Sequence, residues 1–124
     1  MLSVEMLPAR HGDCLWVEYG RGADRQRMLV DGGPGFAYAA GLRAKIAALP
    51  ERERRFALAV CTHIDADHIE GLIRLFGEPA LGCRYGEVWY NAWPQVSGGQ
   101  PASFGALQGE YLAALLGRID VPWN

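Results

Sequence analysis

The chain has 124 residues, 50% hydrophobic and 21% charged, with a formal net charge of -2. That balance excludes a disordered chain, gives none of the overall basic character that marks nucleic-acid binding, and predicts one soluble globular unit over residues 1–124. No apolar run reaches bilayer length, and the amino terminus lacks the basic cluster, apolar stretch and cleavage site of an export signal. Cys14, Cys61 and Cys83 are odd in number and lack Cys-x-x-Cys spacing, and two of them sit in apolar strand patterns. They predict unpaired thiols and a reducing, cytoplasmic setting.

In chain order, Leu2, Val4 and Met6 alternate with polar or small neighbours until Pro8, which predicts a first strand. Residues 9–13 form a connection in which His11 reads as a surface turn residue and Asp13 as a turn-forming carboxylate. The segments Cys14 to Tyr19 and Arg27 to Val30 flank a glycine-containing polar loop and predict an antiparallel hairpin. Asp31 then stands at a strand end before Gly32-Gly33-Pro34-Gly35, whose glycine spacing matches no nucleotide-binding loop.

Tyr38, Leu42, Ile46 and Leu49 fall at helical intervals, so Ala37 to Leu49 is expected to be an amphipathic helix on the sheet, ended by Pro50. The run Glu51-Arg52-Glu53-Arg54-Arg55 nearly cancels in charge and reads as a solvated link rather than a nucleic-acid patch. Phe56 to Cys61 lacks polar alternation, as a strand buried on both faces would.

That strand ends in Thr62-His63-Ile64-Asp65-Ala66-Asp67-His68, which places four potential metal ligands within six residues. Imidazole and carboxylate together suit zinc, manganese or iron better than calcium. A helix cap explains one such side chain, not four, and the twelve-residue calcium-loop pattern is absent. On an extended backbone His63, Asp65 and Asp67 face one side while His68 diverges, so one short loop can serve two adjacent ions. A helix is expected from Ile69 to Phe76.

Beyond it, Gly77 to Gly86 reads as a loop and Glu87 to Asn91 as a strand, with Trp89, Tyr90 and Trp93 expected to pack between layers. Gln95 to Ala102 has the composition of a loop at the rim of a site. Ser103 is expected to cap a last helix whose apolar face is Phe104, Leu107, Tyr111 and Leu115.

The segment His63-x-Asp65-x-Asp67-His68 resembles the second signature of the metallo-beta-lactamase superfamily, in the competence-type variant with aspartate at the middle histidine. Gly12-Asp13-Cys14 opening a strand and Leu29-Val30-Asp31-Gly32-Gly33 closing another are similar to that family's first strands and first aspartate. The resemblance implies the amino-terminal half of an αββα sandwich, an α/β fold with a mixed sheet and covering helices, in a chain of roughly half the usual length.

It also implies a hydrolase using a metal-activated water, with phosphodiesters the substrate suggested by the competence-type variant. One or two divalent ions are expected: His63 and Asp65 on the first, Asp67 and His68 on the second, with zinc foremost and manganese or iron open. By the same resemblance Asp67 is the catalytic carboxylate, and Asp31 orients the ligand loop or approaches the metal. The family's later ligands have no counterpart after His68, so the competing expectation is a catalytically incomplete fragment or metal-binding interaction module. Half a sandwich also predicts an exposed apolar face, covered by a homodimer partner or a completing chain. An Asp-His-His phosphoesterase is a third possibility, and it requires a purely parallel sheet ahead of His63.

Overall fold

Three alternating apolar segments form the first part of a five-stranded sheet of order β1-β2-β3-β4-β5 in the computed structural model, which describes residues 1–90 and 104–123 and, for 104–106, the backbone alone. Strands β1 (Leu2–Met6), β2 (Leu15–Tyr19) and β3 (Gln26–Val30) are an antiparallel meander, paired through Val4 with Val17 and Val17 with Met28. Strands β4 (Arg55–Val60) and β5 (Arg84–Trp89) extend it in parallel, with Leu29 beside Ala59 and Ala59 beside Val88. The sheet is therefore mixed and the chain is α/β.

The helical segment after β3 begins at Gly35 and is preceded by Pro34, its N-cap, in extended conformation. It runs through α1 (Gly35–Tyr38), a π-helical turn (Ala39–Arg43) and α2 (Ala44–Ala47), and buries Tyr38, Leu42 and Ile46 as the 3.6-residue spacing predicts. Arg54 closes its far end by donating to the carbonyls of Ala47, Leu49 and Leu81. Helix α3 (Ala66–Phe76) follows β4, and α4 (Phe104–Arg118) packs against α3. All three helical segments share one core with Trp16, Leu29, Phe56, Ala59 and Val88. Within it Phe56 meets Trp16 edge-on and stacks on Tyr85.

Several expectations shift. Helix α3 starts at Ala66 rather than Ile69, because the carbonyl of Asp65 already accepts from the backbone amides of His68 and Ile69. Strand β5 begins three residues earlier than expected, at Arg84. In α4 the buried side is Leu112, Leu115 and Leu116, while Leu107 and Tyr111 are exposed, so the apolar stripe is rotated from the one expected. Tyr90 is buried and stacks with Trp123, whose segment bridges to Val88 at the outer edge of β5. Asn91, Trp93, Gln95 to Ala102 and Ser103 lie outside the described residues.

The expectation that β4 is buried on both faces is not met: Phe56 and Ala59 are fully buried, but Leu58 and Val60 are half-exposed. The reason is visible across the sheet. Leu2, Val4, Met6, Tyr19 and Trp89 point away from the helices and are 72%, 58%, 72%, 38% and 51% exposed. Met28, Leu58 and Val60 continue the same face. Toward the helix side β1 presents Ser3 and Glu5, the latter paired with Lys45, so its apolar residues are turned outward.

Candidate metal centre

Strands β3 and β4 run parallel and end side by side, so their carboxyl ends deliver Asp31 and the Thr62-His63 segment to one place. The main chain locks them: the Asp31 amide donates to the Val60 carbonyl at 2.8 Å. Asp31 has φ 59°, in the left-handed region that aspartate tolerates better than most residues. Its carboxylate is buried at 2% exposure and accepts from the Thr62 amide at 2.8 Å, the Thr62 hydroxyl at 2.6 Å and His68 Nδ1 at 3.0 Å.

Helix α3 reaches this corner through backbone contact. The Gly32 amide donates to the His68 carbonyl and the Gly71 amide to the Gly33 carbonyl, both at 2.9 Å. A Cβ on Gly71 would stand 1.8 Å from the Gly32 oxygen, so both glycines are needed for this approach. On the other side the 9–13 loop touches the start of α3, where a Cβ on Gly12 would lie 1.8 Å from the Asp67 carbonyl oxygen. That contact sets the Asp13 carboxylate 3.7 Å from His68 Nδ1.

The hydrogen-bond network assigns both imidazole tautomers. An ionised carboxylate only accepts, so His68 carries its proton on Nδ1 toward Asp31. The Thr62 hydroxyl spends its single proton on Asp31 and must accept from His63 Nδ1 at 2.8 Å. In its neutral form each ring therefore has its Nε2 lone pair free. His63 Nε2 faces Asp65 Oδ2 at 3.6 Å, and His68 Nε2 faces Asp67 Oδ1 at 3.7 Å. The two ring centroids are 3.7 Å apart. Lone pairs turned toward carboxylates repel unless a proton or a metal cation stands between them, and two imidazoles with oxygen donors suit zinc, manganese or iron.

Ligand atoms of Asp31, His63 and His68 all lie within 4.8 Å of one another, so this group can hold a metal ion. Asp31 and His68 are buried and His63 is exposed, which leaves an approach from solvent. Asp65 and Asp67 flank the gap rather than filling it. Asp65 is the N-cap of α3 yet makes no side-chain cap bond, so its carboxylate is not committed to the helix.

Asp13 was expected only to shape a turn, and nothing in its local sequence marks the distance to His68, which the Gly12 contact creates. His11, the third histidine, is exposed in its loop, as expected. Cys61 lies beneath the site. Burial, and then the Asp31 charge, push its thiol up to about 12, so at neutral pH it remains an S–H donor to the His63 carbonyl at 3.3 Å rather than a thiolate ligand. No protein-family model matches the sequence, and no curated protein matches it.

Proposed function

We propose that the chain is a metal-dependent hydrolase of the metallo-beta-lactamase type, acting on phosphodiesters. His63 and Asp65 would hold one side of the centre and Asp67 and His68 the other, for one or two divalent ions, with Asp31 fixing the rings. The observation that carries this is the pair of Nε2 atoms, 3.6 Å and 3.7 Å from the Asp65 and Asp67 carboxylates, with one buried aspartate bonded to His68 directly and to His63 through the Thr62 hydroxyl. A bound divalent cation supplies Lewis acidity and lowers the pKa of water. Asp67 opens on the gap and is half-buried, suited to orient a water and take its proton on Oδ1. The antiparallel β1–β2–β3 meander ahead of His63 favours this assignment over the Asp-His-His phosphoesterase type.

The test is turnover of bis-p-nitrophenyl phosphate with manganese or zinc added. Metal-dependent hydrolysis is expected, abolished by chelation and reduced on the order of a hundredfold or more in Asp67→Asn. Bound metal without turnover on this or on lactam, lactone or thioester substrates would contradict the hydrolase assignment.

One observation favours the competing function, a metal-binding module without catalysis. Among the described residues the group that can share an ion has three members, and two-metal sites draw on more. The open face of the sheet bears on the same question, since a second copy or a completing chain seated there would supply the missing layer. Val4→Lys with Met6→Lys, placed on the exposed edge strand β1, is expected to abolish self-association in sedimentation velocity and to lower binding of an apolar dye. A wild-type chain that stays monomeric at high concentration and binds no dye would contradict that role for the face.

The unpaired thiols of Cys14, Cys61 and Cys83 support a reducing, cytoplasmic setting. No helix among the described residues is long and apolar enough to cross a membrane.

A further inference from the structure

The end of the sheet opposite the metal centre gathers positive charge. There the turn before β3 and the segment entering β4 enclose a cleft of about 370 Å³ lined by Arg25, Arg27, Arg52 and Arg55, with Glu53 the acidic residue in the lining. In sequence the run from Glu51 to Arg55 nearly cancels, but folding separates its signs. The Glu51 carboxylate turns toward Gly82, away from the cleft, and Arg54 is spent on three carbonyls. Arg55 pairs in register with Arg84, which adds a further guanidinium at the same end.

These arginines are short of acceptors. Among the described residues, the side chains of Arg25, Arg52 and Arg55 make no hydrogen bond or ion pair. Arg27 is half-buried, stacks on Trp16, and donates to the Glu53 carbonyl and to Glu18, yet its Nε–H is buried with no partner. Against Glu53 and the Glu18 that pairs with Arg27, the cleft holds an excess of two positive charges. Guanidinium groups do not deprotonate, so their repulsion in one concave site is relieved by an anion rather than by titration. Their planar forks suit tetrahedral oxyanions, which accept several N–H groups at once.

We propose that this cleft is a binding site for a phosphate-type oxyanion, either free, as phosphate or pyrophosphate, or as the terminal phosphate of a larger ligand. It is separate from the metal centre, because it lies at the amino-terminal ends of β3 and β4 whereas Asp31 and His63 lie beyond their carboxyl ends.

The test is isothermal titration of the full chain, kept metal-free with chelator and at constant ionic strength, with inorganic pyrophosphate and, in parallel, with a 5′-phosphorylated dinucleotide. Saturable binding of pyrophosphate is expected, weakening about tenfold or more in Arg25→Ala/Arg52→Ala and unchanged in His68→Ala. Both substituted arginines are exposed and unpaired, so the fold is retained, and Arg52→Glu alone should weaken binding in the same direction. Dinucleotide binding as well would assign the terminal-phosphate source, and pyrophosphate alone the free anion. No saturable binding of either probe, or binding that survives the arginine substitutions, would overturn the proposal.

Discussion

Asp31→Ala is expected to cost about 3–5 kcal/mol of folding stability, read from urea unfolding of the metal-free protein. Three donors, the Thr62 amide, the Thr62 hydroxyl and His68 Nδ1, converge on this one buried carboxylate and would lose it together. Alanine is also strained at φ 59°. Asp31→Asn separates folding from ligation. Asparagine tolerates the backbone and keeps an oxygen for the Thr62 amide, so its stability cost should stay near 1–2 kcal/mol. Its amide nitrogen, however, donates toward His68 Nδ1, which moves the imidazole proton to Nε2 and removes the lone pair that faces Asp67. Zinc affinity should then fall about 10–100-fold, measured by competition with a chromophoric chelator. An Asp31→Asn chain that binds zinc as tightly as wild type would show that Asp31 does not set the imidazoles.

The second large effect is expected at Gly71. A glycine inside an exposed helix is ordinarily improved by alanine, by about 1 kcal/mol. In α3 the added methyl would lie 1.8 Å from the Gly32 oxygen and 2.4 Å from its carbonyl carbon, both main-chain atoms that cannot swing aside. Gly71→Ala should therefore destabilise by about 3 kcal/mol or more, as overpacking against backbone does, and should displace His68 from Asp31. Gly117→Ala in α4 is the matched control, since a Cβ there meets nothing within 4 Å. It should be neutral or slightly stabilising. Similar thermal midpoints for the two variants would mean that the helix does not rest on the Asp31–Gly33 turn.

What could be read from the sequence follows the range of the forces involved. Strands β1 to β3 were legible because alternation of Leu2, Val4 and Met6 and the glycine-containing loop before Gln26 are local signals. The helix over Tyr38, Leu42 and Ile46 was legible for the same reason. The start of α3 was not, since Asp67 and His68 look like loop residues until the Asp65 carbonyl is seen accepting their turn's amides. The stripe on α4 was misjudged because Leu107, Tyr111 and Leu115 are as apolar as Leu112 and Leu116, and the orientation against α3 decides between them.

At the site, the motif from His63 to His68 marked a candidate metal-binding loop, but which atoms meet is a tertiary matter. Asp31 is 37 residues from His68 and reaches it because β3 and β4 are parallel neighbours. Asp13 arrives through the contact of Gly12 with the Asp67 backbone. The arginine cleft was hidden because charge summed along the chain cancels where charge in space does not.

The most direct test of the account is the divalent metal content per chain, by elemental mass spectrometry after gel filtration, for wild type beside His68→Ala. At least one ion per wild-type chain is predicted, with most of it lost in the variant while both remain folded. No metal in either sample after incubation with zinc, manganese or iron would contradict a metal centre at Asp31, His63 and His68.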